Sequence, residues 1–298
     1  MSMMGKLSVR VTGSLLGSAA LVLSTQVAAS ASQELPPVIS VDVTTDGGFS
    51  LPASVHAGFV TFRISSPEDA FHAIQGFSLN PGVTLDQALA DINQALSGDP
   101  VQVPLGMQAI MRDLVEVGGV VTSPHAAQEV TIPLDKGTYY FLDINDINNP
   151  PLVPRVHTLK AVGNFKWSQL PVFTSVIEGT MIDDQPRFIA PSTMAHDETF
   201  LAVVSSDELH EFVFRPVVPG TTDEYITTFY DAVKAGTPRP PSPWTGIQSG
   251  LQALSPGRWA IYKLDLAVGP YALICYVPSD ETGIAHGWDG MHQIVNLT

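Results

Sequence analysis

The motif order in the first half of the chain returns in the second half at a fixed distance. His72 and His210 stand 138 residues apart, and so do Pro81-Gly82 and Pro219-Gly220. Gly118 and Gly250, Ser123-Pro124 and Ser255-Pro256, and Gly137 and Gly269 are each separated by 132. Phe188-Ile-Ala-Pro191 answers Phe49-Ser-Leu-Pro52, and Asp207-Glu-Leu-His210 answers Asp69-Ala-Phe-His72. One constant offset, a step of six residues and a second constant offset mark a duplicated unit with a shorter loop in its second copy. The chain must therefore fold as two like units.

Each unit reads as short strands with helices inserted midway. Val38–Val43, Gly58–Ile64, Ala73–Leu79, Val130–Leu134 and Gly137–Asp143 carry strand-like alternation or β-branched and aromatic runs. Thr84 to Leu96 has Leu85, Leu89, Ile92 and Leu96 at helical spacing, with Thr84 as a cap and Gly98 as a stop. Met107 to Val117 predicts a second helix, and Thr222 to Val233 answers the first. Twenty-four Pro and 24 Gly are spread along the whole chain, as many short strands joined by turns require. The expected class is all-β: two tandem β-sandwich domains with short inserted helices, over 38–163 and 173–298.

Residues 1–31 read as a secretory signal peptide. Lys6 and Arg10 form a basic start, Val11 to Val27 is apolar and small, and Val27-Ala-Ala29 or Ala29-Ser-Ala31 offers a cleavage site. Gly, Ser and Thr interrupt the run, and a membrane span needs about twenty predominantly apolar residues. No cysteine follows for a lipid anchor, and no later stretch is long enough to span. The expectation is a secreted protein, extracellular or periplasmic. Losing Lys6 and Arg10 takes the formal charge from −15 to −17. Such a surface repels phosphate, which excludes nucleic acid and anionic lipid as partners.

Cys275 is the single cysteine. It can be an inert buried thiol, one side of an intermolecular bridge, or a ligand. Its surroundings favour the last. The apolar run Tyr271–Ile274 leads to it, a turn-rich loop brings His286 and Met291, and Ile294–Leu297 closes the chain. With His210 the second half offers two imidazoles, a thiol and a thioether. Thiolate and thioether are soft and stabilise Cu(I), while imidazole also holds Cu(II), so the set suits electron transfer at copper. His292, Asp280 and Glu281 are alternative donors nearby. The first half has Asp143 at the position of Cys275; Asp143, Asn145, Asp146 and Asn148 are oxygen donors that could take a hard cation such as calcium, but the spacing is not that of an EF-hand and they read as an exposed acidic turn. His56, His125, His157 and His196 have no ligand-like spacing. There is no Gly-x-Ser-x-Gly elbow, no His-Glu-x-x-His and no phosphate-binding loop.

The second half resembles the cupredoxins, the plastocyanin-like type 1 blue copper family. The resemblance rests on Asp207-Glu-Leu-His210-Glu-Phe-Val-Phe, on Gly269-x-Tyr-x-x-x-Cys275, and on His286-x4-Met291. It implies Greek-key β-sandwich domains. It implies one copper ion in the second domain, with His210 and His286 as nitrogen ligands, Cys275 as thiolate and Met291 as axial ligand. It also implies a redox partner protein. Ten residues separate Cys275 from His286, more than the family uses, and a loop that long is expected to be less preorganised. The expected activity is one-electron transfer or copper holding, not enzymatic catalysis. The competing reading is a metal-free β-sandwich for extracellular interaction, with Cys275 inert.

Overall fold

Apolar alternation sets the strands, and two strand pairings between the halves set the architecture. The computed structural model describes residues 34–44, 48–66, 72–122, 126–148 and 155–298. The expected signal peptide and His125 lie outside them. The first half runs β1 (Val38–Asp42), β2 (Ser54–Ser65), β3 (Ala73–Leu79), α1 (Leu85–Ala95), α2 (Gln102–Asp113), β4 (Leu114–Val121), β5 (Gln128–Leu134), β6 (Gly137–Asp143), α3 (Ile144–Asn148) and β7 (His157–Lys166). The second runs β8 (Ser175–Ile182), β9 (Gln185–Ile189), β10 (Thr193–Met194), β11 (Thr199–Val204), β12 (His210–Pro216), α4 (Asp223–Ala235), β13 (Ser249–Leu254), β14 (Trp259–Lys263), β15 (Gly269–Ile274) and β16 (His292–Leu297).

The second half makes two sheets, ordered β9-β8-β11-β14 and β10-β16-β15-β12-β13. They face each other through aromatic pairs: Phe188 to Phe212 at 5.6 Å and Phe200 to Phe214 at 5.9 Å between ring centres. The first half repeats the order, with β7-β6-β3-β4 as one layer and β1, β2 and β5 as the other. Phe62 on β2 meets Phe141 on β6 at 5.1 Å across the layers.

Here β2 does the work of two strands. Its start pairs in parallel with β7 and its end with β1 and β5, and the register shifts between His56 and Gly58. A side chain at Gly58 would meet the Lys166 carbonyl at 2.4 Å, and its φ of +150° suits glycine. The switch of layers therefore occurs there.

The halves join through equivalent strands. β4 pairs antiparallel with β13, and β5 with β14, with Val130 opposite its repeat counterpart Tyr262. Pairing like strands in opposite directions relates the halves by an approximate two-fold axis. One hydrophobic cluster runs through both, and residues Leu35–Thr298 form one compact unit.

The first helix starts where expected: the Thr84 hydroxyl accepts from Gln87 N at 3.2 Å. The second differs. It spans Gln102–Asp113, and residues 114–117 begin β4. Leu114 and Val115, expected on a helix face with Met107, Ile110 and Met111, instead open a strand that is buried along nearly all its length, on both faces. Such a run carries no period of two to distinguish it.

Candidate metal centre

Three side chains from two elements and a loop converge at one end of the second half. His210 is the first residue of β12, Cys275 follows the last residue of β15, and His286 opens a short 3-10 turn, His286–Asp289. β12 and β15 are hydrogen-bonded neighbours, with Val213 opposite Ile274. Sheet pairing thus brings His210 beside a cysteine 65 residues away. The two imidazole Nδ1 atoms are 3.2 Å apart, and Cys275 Sγ lies 3.8 Å from His210 Nδ1 and 3.5 Å from His286 Nδ1. Bonds from a first-row ion such as zinc are about 2.0 Å to nitrogen and about 2.3 Å to sulfur, so two donors on one ion sit roughly 3–4 Å apart. The observed separations fit that spacing.

All three groups are buried, at 0–1% exposure, and so is Met291. Met291 N donates to the His286 carbonyl at 2.9 Å, and its own carbonyl accepts from Cys275 N at 3.3 Å. The methionine is thereby tied to both loop donors. Imidazole, thiol and thioether are the donor types that suit a single copper ion.

The surroundings prepare these donors. The Glu208 carboxylate accepts from His286 Nε2, which leaves the Nδ1 lone pair facing Cys275. His210 Nε2 has no hydrogen-bond partner among the described residues. Burial, with His286 close by, holds the His210 imidazolium down to about 3, so the ring is neutral and able to coordinate. A side chain at Gly179 on β8 would meet the His210 ring at 2.9 Å, so the glycine makes room for the ligand. Burial also pushes the Cys275 thiol well up, with the Glu211 carboxylate adding to it. Against this, Glu211 N approaches Sγ at 3.5 Å as a donor. A bound metal ion deprotonates such a thiol outright.

The long loop is closed, contrary to the expectation of poor preorganisation. Pro278 and Ala285 bridge antiparallel, and His286 N and Gly287 N donate to the Val277 and Cys275 carbonyls at 3.0 and 2.7 Å. The extra residues form a hairpin whose base returns His286 to Cys275. Its tip rests on α2 of the first half: Gln108 donates to the Asp280 carbonyl at 2.7 Å, and a side chain at Gly283 would meet Pro104 at 2.9 Å. The alternative donors stay out of the cluster. His292 turns to α4, with Nε2 3.2 Å from the Thr227 hydroxyl, and Asp280 and Glu281 sit on the hairpin tip.

No protein-family model matches the chain, and no curated protein sequence matches it. Solved structures do. Auracyanin A, a "blue" copper protein from Chloroflexus aurantiacus, is 18% identical over 42% of this chain and 99% of its own, with a TM-score of 0.27. Copper nitrite reductase from Nitrosomonas europaea is 10% identical over 89% of this chain and 94% of its own, TM-score 0.24. A multicopper oxidase is 12% identical over 89% of each chain, TM-score 0.23.

The fold is all-β, with two like sandwich units in tandem. The expectation that the chain is not an enzyme is corrected by the same comparison, because two of these neighbours are enzymes by name and span most of both chains.

The first unit holds a different pair at the matching place. His72 Nδ1 and Asp143 Oδ2 are 2.6 Å apart, and Asp143 Oδ1 accepts from Ala73 N at 3.1 Å and Asn145 N at 3.0 Å. Asp143 and Asp146 are buried, and Asp146 takes Arg155 at 3.2 Å. The two aspartates of the expected exposed acidic turn are therefore buried and paired. Sequence reasoning missed Glu208 and Glu211. The repeat contained the signal: both align with alanines in the first copy, Ala70 and Ala73.

Proposed function

We propose that this protein is an exported copper protein that carries one electron at a single ion held by His210, Cys275, His286 and Met291. The observation that supports the reading is the convergence of three buried donors at the spacing of one ion. Copper would supply the change of oxidation state. The chain's own residues hold it and exclude water: Glu208 orients His286, the Glu211 amide points at the sulfur, and Met291 closes the buried face. A site fixed in this way changes little between oxidation states, which is what fast electron exchange requires.

The leader at residues 1–31, the domains at 38–163 and 173–298, and a redox partner protein belong to the same proposal. Among the described residues no helix is long and apolar enough to cross a membrane.

Titration of the mature protein with Cu(II), followed by visible absorption, tests the reading. An intense thiolate-to-copper band is expected, absent in Cys275→Ser. Copper binding without that band would restrict the function to copper holding. No binding in either protein would leave a metal-free sandwich.

A further inference from the structure

A cavity opens beside the metal centre, on the side of α4. Its volume is about 770 Å³, within the size range of small-molecule sites. Tyr276, Trp288, Tyr230 and Trp244 line it. Tyr276 directly follows Cys275, and Trp288 stands on the turn between His286 and Met291. Tyr230 and Trp288 stack, with ring centres 5.6 Å apart and planes 22° from parallel, and Tyr230 lies 6.0 Å from Trp244.

The charged residues on this wall are both arginines. Arg215 sits 4.5 Å over the Trp244 ring and donates to the Tyr276 hydroxyl at 3.3 Å, while its buried Nε has no hydrogen-bond partner. Arg239 stands at the rim. Among the described residues no carboxylate lines the cavity, in a chain with 29 acidic residues and 14 basic ones. A positive, aromatic recess on a strongly acidic protein selects for flat rings that carry negative charge. Ring faces stack on ring faces, and a guanidinium fork takes a carboxylate or phenolate.

We infer that this cavity binds a small planar aromatic anion, held between Trp288, Tyr230 and Trp244 with its charge on Arg215 and Arg239. The inference stands on the cavity and needs no metal. Its place next to Tyr276 and Trp288 puts such a ligand beside the segments that carry Cys275 and His286, whose own side chains solvent does not reach.

The test uses the metal-free mature protein and 4-hydroxybenzoate, with binding read by calorimetry and tryptophan fluorescence. Saturable binding with quenching is expected. Tyramine, with the same ring and a positive charge, and cyclohexanecarboxylate, with the charge and no aromatic ring, should each bind at least about tenfold more weakly. Arg215→Gln should lose about tenfold. Arg239→Gln, at an exposed position where folding is not at stake, should lose severalfold, and Trp288→Phe should reduce the quenching. Cys275→Ser should bind unchanged, which separates this site from the copper reading. Absence of saturable binding, equal affinity for tyramine, or affinity unaltered in Arg215→Gln and Arg239→Gln would overturn the inference.

Discussion

The two halves place an imidazole against a different side chain at the same point of the same scaffold, a carboxylate in one and a thiol in the other. In the first, Asp143 gathers His72 and two backbone N–H groups, and the carboxylate is satisfied within the protein. In the second, Cys275 replaces the aspartate, the amide after the histidine still points at the side chain, and His286 adds a third donor. One backbone thus supports either a closed hydrogen-bonded pair or a cluster of donors aimed at one another. The difference lies in three features: a thiol for a carboxylate, a hairpin that returns a second histidine, and Glu208 to fix that histidine's tautomer.

Exchanging the pairs should have the largest effect. Cys275→Asp gives the second half the first half's His–Asp pair, and the thiolate-to-copper band should vanish while the fold persists. A surviving band would remove Cys275 from the ligand set. The reciprocal Asp143→Cys should gain no band, because among the described residues no second histidine joins His72 and position 143.

Next comes the first half's own pair. Removing a buried partner and stranding the other typically costs about 3–5 kcal/mol. Asp143→Ala should lower the unfolding free energy in urea by that order, since His72 and Asp143 are both at least 95% buried. A loss below about 1 kcal/mol, the level of an exposed pair, would show the contact to be incidental. Glu208→Gln should weaken copper binding about 10- to 100-fold, as loss of an orienting partner usually does. Copper affinity equal to that of the unaltered protein would mean that His286 is positioned by its loop alone.

A further contrast between the halves lies at Glu116, whose counterpart in the second half is the neutral Gln248. Burial pushes the Glu116 carboxyl up from 4.5 to about 8. Its folded form binds the proton more tightly than its unfolded form. The resulting stability is complete below about pH 4.5 and is lost as pH rises towards about 8, by at most about 1.4 kcal/mol per pH unit. Glu116→Gln should flatten the pH dependence of unfolding across that window. An unaltered slope would assign the dependence to other groups.

Much of this was legible in the sequence because the duplication supplies an internal control. Spacing located the two histidines, Cys275 and Asp143 at matching positions, and residue chemistry separated a ligand set from a carboxylate. The capped helix at Thr84 was legible for local reasons, a hydroxyl and a 3.6-residue period. The start of β4 was not, because a strand covered on both faces shows no alternation. Nor was the burial of Asp146, which depends on Arg155 nine residues away folding back over it.

The strand-rich repeat, the types of donor and the half that carries them follow from residue chemistry and periodicity. That the donors meet follows from tertiary contacts. Convergence depends on β12 pairing with β15, on a hairpin closed by its own backbone hydrogen bonds, and on α2 of the first half supporting that hairpin's tip. The same holds for the arginine-lined aromatic recess, whose walls come from α4, β12 and the ligand loop. These are contacts between segments far apart in the chain, and neither composition nor spacing encodes the distances that set them.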